Sequence, residues 1–218
     1  LFVDVEETLG PAGLQRRHVI RTRPTPRYEA GVRRIRGGGE LPEVLPLPDG
    51  ALEWSSRYRG VVALCPRTLN AARDWLPSHW LRLEGLLLAR GVRCVVLGAA
   101  GDKGALAGFR SPQFCGQTPA RVAALLSGAT CVEANESGLA HLAGALGVPC
   151  VVVAAQFPEV HRFWPRSTVL RGPLSCTGCH TAGPHFRPAC LSLCASLQTI
   201  GPEDVLAAVL PHLPVSVP

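Results

Sequence analysis

The sequence predicts a doubly wound α/β fold with a parallel, Rossmann-like sheet. Three observations predict it. Short, near-continuous apolar runs recur at Val61-Val62-Ala63-Leu64-Cys65, Arg93 to Leu97 and Val148 to Ala154, the pattern of strands buried on both faces. Segments of helical length lie between them, set off by polar loops carrying Gly or Pro. With 218 residues and 47% apolar composition, the chain can enclose a core of that size.

Along the chain, residues 1–40 are Arg-rich, punctuated by Gly and Pro, and close on Gly37-Gly38-Gly39; they read as a linker or the tail of another domain. The first residue is not Met and Met is absent, so the chain is expected to begin inside a longer product. Residues 41–218 form the second unit. Within it, Leu41 to Arg59 carries Pro42, Pro46 and Pro48 and is expected to run extended over a surface. A strand at 61–65 then leads through a polar loop to a helix from Ser78 to Arg90. Next come a strand from Arg93 to Leu97, a Gly-rich loop, a helix from Pro119 to Leu126 and a strand from Thr130 to Glu133. A helix from Ser137 to Leu146 and a strand from Val148 to Ala154 complete the regular part. Near the end, Thr199-Ile200-Gly201-Pro202-Glu203-Asp204 reads as a capped helix start with acids in its first turn, leading into Val205 to Leu210.

The formal charge is +6, from 22 basic and 16 acidic residues, and much of the excess is local: Arg16, Arg17, Arg21, Arg23, Arg27, Arg33, Arg34 and Arg36. Such a segment can meet nucleic acid, an anionic membrane or a phosphorylated ligand. No aromatic stacking pattern accompanies it, which disfavours specific nucleic-acid binding. No apolar run approaches the roughly 18 residues of a membrane span, and Leu1-Phe2-Val3-Asp4 lacks the form of a signal peptide. The expectation is a cytoplasmic protein. Cys65, Cys94, Cys115, Cys131 and Cys150 sit singly in or beside apolar runs and read as reduced, mostly core residues.

Ligands of doubly wound sheets bind where loops converge at the carboxyl ends of the strands. The loops to inspect therefore follow Cys65, Leu97, Glu133 and Ala154. After the third of these strands, Ala134-Asn135-Glu136-Ser137-Gly138-Leu139-Ala140-His141 opens a helix. Ser137 can cap it, Gly138 lets a ligand approach the backbone, and the unpaired N–H groups of a helix start attract anions. His141 shares a helix face with Ser137 and Gly138. Glu136 repels phosphate and would serve another part of a ligand, such as sugar hydroxyls. The plainer alternative makes Asn135 and Ser137 caps and His141 a partly buried histidine. Arg67, Thr68 and Asn70 follow the first strand, so their polar groups belong to the same ligand edge as Arg73; taken alone they are an ordinary solvated loop. Trp75 reads as a packing anchor, and His161, Arg162 and Arg166, which follow the last strand and could touch a ligand at that edge, read first as a solvated face.

The run Asn135-Glu136-Ser137-Gly138-Leu139-Ala140-His141-Leu142-Ala143-Gly144-Ala145-Leu146-Gly147-Val148-Pro149 resembles the D-[ST]-G-x-x-H-L-x-x-A-L-x-x-P signature of the heptosyltransferases, glycosyltransferase family 9. Arg73-Asp74-Trp75-Leu76-Pro77 is similar to that family's [KR]-x-W-P motif, and Val95-Val96-Leu97-Gly98 followed by Ala99-Ala100-Gly101-Asp102 to its strand and donor-side loop. The matches span residues 41–213. The resemblance implies the C-terminal, nucleotide-sugar-binding lobe of a two-lobed GT-B enzyme, with ADP-heptose as donor and inverting transfer to a glycan, lipid or protein acceptor. It implies that Arg73 neutralises the donor diphosphate, for which a planar guanidinium is suited. Ser137, Gly138 and the amides up to His141 would bind phosphate, Glu136 would hold hydroxyls of the sugar, Asp102 would reach the ribose, and Thr68 would line the donor edge. No catalytic metal is implied. The general base belongs to an N-terminal lobe that this sequence does not show, and residues 1–40 would be its remnant. Two departures stand out: Glu occupies the family's Asp position at 136, and Ala155-Gln156-Phe157-Pro158 replaces G-P-T-x-P.

Cys176-x2-Cys179 and Cys190-x3-Cys194, ten residues apart, can close a tetrahedral thiolate site that selects zinc or iron. Two disulfides, four free thiols, or a site using His180 or His185 are the alternatives; a reducing compartment disfavours the first. Some heptosyltransferase relatives carry a cysteine insertion near this place, which binds iron in certain autotransporter heptosyltransferases. The resemblance so implies a structural iron or zinc clip on a loop at 174–197. A second reading keeps the lobe as a catalytically degenerate, metal-clipped binding or scaffolding module. Peripheral contact with the inner face of the membrane and assembly into a homo-oligomer stay open.

Overall fold

The computed structural model describes residues 53, 56–156, 161, 164–174 and 194–214. The basic segment, the linker assigned to 1–40, Arg162, His180, His185 and three of the four clustered cysteines (Cys176, Cys179 and Cys190) lie outside the described residues.

Six strands form one parallel sheet: β1 Val62–Cys65, β2 Cys94–Gly98, β3 Gln113–Cys115, β4 Cys131–Asn135, β5 Cys150–Ala154 and β6 Ser167–Arg171. Their order is β3-β2-β1-β4-β5-β6. The chain works outward from β1 to β3, returns to place β4 on the other side of β1, and works outward again to β6. The switch point therefore lies between β1 and β4, where Leu64 stands opposite Glu133 and Cys65 opposite Ala134.

Alternation along each strand builds two cores. One face carries Val62, Leu64, Val96, Val151 and Val153, covered by α1 (Pro77–Leu88) through Trp80, Leu83 and Leu87 and by α5 (Pro202–Val209) through Val205, Leu206 and Val209. The other carries Ala63, Cys65, Val95, Leu97, Val152 and Ala154, covered by α2 (Pro119–Gly128) and α3 (Gly138–Ala145). A single turn, α4 (Ala195–Gln198), precedes α5. Three of these helices start on proline, whose fixed φ suits the first helical turn and whose missing N–H costs nothing there. Thr118 caps α2 by accepting from the Arg121 N–H at 3.3 Å.

The central strands and the helices fall where the apolar runs place them, with ends moved by a few residues. β4 runs on to Asn135, so Asn135 belongs to the strand instead of following it. Strands β3 and β6 have no counterpart in the sequence reading. Both are sheet edges, only partly buried, and so lack the continuous apolar run that marks the inner four. Residues 56–58 form a 3₁₀ turn, so that end of the proline-rich stretch is not extended. The last helix starts at Pro202 behind Gly201, whose N–H donates to Asp204 Oδ2 at 2.9 Å; Thr199 Oγ1 instead donates to the Ser196 carbonyl at 2.7 Å. Cys65, Cys94, Cys131 and Cys150 are buried, Cys115 is half-buried, and all five are reduced. Among the described residues, no helix is long and apolar enough to cross a membrane.

Candidate functional site at the switch point

The loop after β1 and the end of β4, which leads into α3, lie side by side at the carboxyl edge of the sheet. Asn135, at the last position of β4 and fully buried, joins them: its Nδ2 donates to the Pro66 carbonyl at 2.7 Å and its Oδ1 accepts from the Trp75 N–H at 3.2 Å. A short amide at a strand end thus replaces a ladder that residues 66–76 do not have. Within the loop, the Asp74 carboxylate accepts from the Thr68 N–H at 2.8 Å and from Arg67 Nη1. Burial pushes the Asp74 carboxyl up; Thr68 and the Arg67 charge pull against it. Thr68 Oγ1 donates to the Asn70 carbonyl at 2.7 Å, and Asn70 Oδ1 caps the turn 71–73 by accepting from the Ala72 N–H at 3.0 Å. Arg73 ends that turn, half-buried, on the loop beside β4.

Ser137 occupies the N-cap position of α3 in extended conformation, but its hydroxyl makes no capping bond and is buried without a hydrogen-bond partner among the described residues. Gly138 is exposed, and a Cβ built on it meets no described protein atom within 4 Å. Nothing in the described fold requires glycine there, so its smallness is available to a ligand against the helix start. A helix start, a hydroxyl without a partner and a guanidinium-bearing loop at one edge suit an anion such as a diphosphate.

His141 is buried. Its Nδ1 accepts from Trp164 Nε1 at 3.1 Å and its ring stacks on His161 at 4.2 Å between centroids. Burial pushes its pKa down to about 4, so the neutral ring is the stable form. Here the expectation for His161 is corrected: it is buried at 2% exposure, because the stack on His141 removes it from solvent, whereas Arg166 is exposed and donates to the Gly147 carbonyl at 3.0 Å. Glu136 is also buried, and its Oε2 accepts from the Gln156 backbone N–H at 2.8 Å. The two departures from the family pattern therefore touch: the extra methylene of Glu136 reaches the strand end that carries Gln156. Asp102 Oδ2 accepts from the Ala99 N–H at 2.7 Å while its Oδ1 faces Arg67 Nε at 3.5 Å, so this acid ties the loops after β1 and β2 together. Gly98 permits that fold-back, since a Cβ there would lie 3.1 Å from the Asp102 Cβ and 2.7 Å from Leu106 Cδ1.

Residues to which the sequence reading gives no such role complete the frame: Asp74 inside the loop, Asn135 as its tether where a cap was the alternative, Gln198 and Trp164. Asp74 and Asn135 lie inside quoted motifs, but their roles depend on partners about seven and sixty residues away, which spacing does not reveal. Of the four clustered cysteines, Cys194 is buried at the N-cap of α4. Among the described residues no group of three or more His, Cys, Asp or Glu could hold a metal ion.

Comparison with known proteins agrees with this geometry. The sequence model of glycosyltransferase family 9 (heptosyltransferase) matches residues 44–172, more than half of the chain. No match was found among curated proteins. Among solved structures, ADP-heptose lps heptosyltransferase II of E. coli is similar with TM-score 0.65 and 22% identity, over 85% of this chain and 60% of that one. E. coli heptosyltransferase WaaC with ADP is similar with TM-score 0.53 and 22% identity, over 80% of this chain and 51% of that one. The iron-containing dodecameric glycosyltransferase TibC of enterotoxigenic E. coli is similar with TM-score 0.54 and 16% identity, over 78% and 47%. The chain thus spans about half to three-fifths of the length of these structures. A 3-2-1-4-5-6 parallel sheet, motif residues gathered at its switch point, and a family match that spans all six strands lead to one assignment: the protein belongs to glycosyltransferase family 9, the heptosyltransferases.

Proposed function

We propose that this chain is the donor-binding lobe of an inverting glycosyltransferase that uses a nucleotide-diphosphate sugar, with ADP-heptose as donor. The observation that carries the reading is the tether from Asn135, at the end of β4 just before the start of α3, to Pro66 and Trp75 of the loop that carries Arg73. In the reaction, an acceptor hydroxyl on a glycan, lipid or protein attacks the anomeric carbon, the bond from that carbon to the diphosphate oxygen breaks, and the diphosphate leaves with the electron pair. The part of this chain is to hold the diphosphate and stabilise its growing charge with Arg73 and the α3 N–H groups. The acceptor proton passes to a base assigned to the other lobe, of which residues 1–40 would be a remnant. Thr68 borders the phosphate side, and Glu136 lies on the sugar side. Asp102 borders the ribose side, with Oδ2 held by the Ala99 N–H and Oδ1 shared with Arg67 Nε.

Thermal denaturation with ADP, UDP and GDP tests the reading. A ligand at a hundred times its Kd stabilises the folded state by about 2.7 kcal/mol. The expected result is a rise in Tm with ADP that exceeds the rise with UDP or GDP; equal responses to all three would remove the adenine preference, and no response to any would remove the donor site.

One observation favours a second reading, a degenerate lobe kept for binding or scaffolding: the Glu136 carboxylate is buried against Gln156. On that reading ADP and ADP-heptose bind with equal affinity, because the sugar makes no contact. The four clustered cysteines would serve either reading as an iron or zinc clip. Cys194, buried and leading into α4, fits a structural ligand, and one neighbour of similar fold contains iron. A bound ion would cross-link the segment and take no part in transfer. Metal analysis of the purified chain against Cys194→Ser would show the loss of about one equivalent. The reduced core cysteines suit a cytoplasmic location, where contact with the inner membrane face and assembly with further copies are compatible with an acceptor carried on lipid.

A further inference from the structure

We propose that Gln198 is a positioning residue of the donor site, fixing the peptides on either side of Trp75, just after Arg73, and so the place from which that guanidinium is presented. This rests on the donor-site reading above. Three consecutive residues after Arg73 are held from the C-terminal segment. Gln198 Nε2 donates to the Asp74 carbonyl at 3.1 Å, the Leu76 N–H donates to Gln198 Oε1 at 3.0 Å, and Trp75 Nε1 donates to the Ile200 carbonyl at 2.9 Å. The Trp75 N–H is held from the opposite side by Asn135. Gln198 therefore does for Asp74 and Leu76 what a neighbouring strand would do, presenting one donor and one acceptor to a carbonyl and an N–H two residues apart. A carboxamide offers both at once; a carboxylate lacks the donor and an aliphatic side chain lacks both.

The clamp is itself anchored. Ser196 and Leu197 are buried, as is Ile200. A Cβ on Gly172 would fall 1.9 Å from the Ser196 carbonyl oxygen, so the end of β6 lies directly against α4. A displacement of Gln198 cannot be taken up by a loose segment, and the loop that carries Arg73 inherits that rigidity. The clamp also lies beyond residues 44–172, the part matched by the family's sequence model. The family pattern thus supplies Arg73, and a segment outside it aims the residue.

The test is calorimetric titration with ADP at a temperature where every variant is folded, using the full chain, Gln198→Leu and Gln198→Glu, each with Arg73 and with Arg73→Lys. Lysine keeps the charge but has no planar fork to aim. The expected result is an ADP Kd about tenfold weaker for both Gln198 variants with Arg73 present, which is about 1.4 kcal/mol, and less than twofold weaker in the Arg73→Lys background. Equal losses in the two backgrounds, or no loss in either, would overturn the proposal, since a purely structural glutamine does not distinguish Arg from Lys. If Gln198→Leu fails to fold, Gln198→Glu carries the same comparison. A wild-type chain that does not bind ADP removes the donor-site reading and this proposal with it, whereas wild-type binding unchanged in the Gln198 variants removes the proposal alone.

Discussion

Trp164 donates its indole N–H to Nδ1 of His141 at 3.1 Å, which fixes the histidine as the neutral tautomer with its proton on Nε2. The same tryptophan packs on α3 so closely that a Cβ on Gly144 would lie 2.3 Å from its ring. The helix whose start forms the candidate anion site is thus held from behind by one side chain.

This contact sets a pH dependence. Burial lowers the His141 pKa from 6.5 to about 4, so between those values the folded state binds fewer protons than the unfolded chain. The stability His141 contributes is full above pH 6.5 and is lost as pH falls toward about 4. Urea unfolding across that range should show the decline, and His141→Gln should flatten it. Trp164→Phe should cost about 1 kcal/mol for the lost hydrogen bond.

Two glycines of α3 should respond in opposite ways. Gly144→Ala places a methyl inside the Trp164 ring and should destabilise by about 1–3 kcal/mol, measured by urea unfolding. Gly138→Ala meets open space and gains helix propensity, so its Tm should hold or rise, while ADP binding by calorimetry should weaken about tenfold through the blocked helix start. Unaltered ADP affinity in Gly138→Ala would place the anion elsewhere.

Glu133 is fully buried in β4 with neither carboxylate oxygen hydrogen-bonded among the described residues, and burial raises its pKa well above the usual 4.5. The sign is opposite to that of His141: the folded state binds more protons, so stability is full below pH 4.5 and declines as pH rises toward the folded pKa. Glu133→Val should stabilise the protein at pH 7 by about 1–3 kcal/mol, and Glu133→Gln should remove the decline. Chemical denaturation at pH 5 and pH 8 reads both.

Glu136→Asp restores the family residue but shortens the reach to Gln156. Loss of the 2.8 Å bond to the Gln156 N–H should cost about 1 kcal/mol of stability. In exchange, ADP-heptose affinity relative to ADP should rise if a freed carboxylate meets sugar hydroxyls. Titrating the variant with both ligands separates these effects; a ratio unchanged from wild type would favour the scaffold reading.

The inner four strands and the main helices were legible because burial on both sheet faces writes an apolar run into β1, β2, β4 and β5, and proline marks the starts of α1, α2 and α5. Strands β3 and β6 were not, since edge strands need only partial burial. In the candidate site, the positions of Arg73, Ser137 and Gly138 at the carboxyl edge of the sheet were legible from local motifs. Asn135, Gln198 and Trp164 act through contacts 23 to 124 residues away, and nothing in their own neighbourhoods announces a partner. The sequence groups His161 with Arg162 and Arg166 as a solvated face, yet His161 stacks on His141 and is buried.

The central claim is that the loop after β1 and the start of α3 form a diphosphate site, and calorimetric titration of the wild-type chain and Arg73→Ala with ADP tests it most directly. The account predicts saturable binding by the wild type and a loss of at least about tenfold, or about 1.4 kcal/mol, in the variant, with unfolding of the two chains alike. Equal ADP affinity in both, or no binding by a folded wild-type chain, would contradict it.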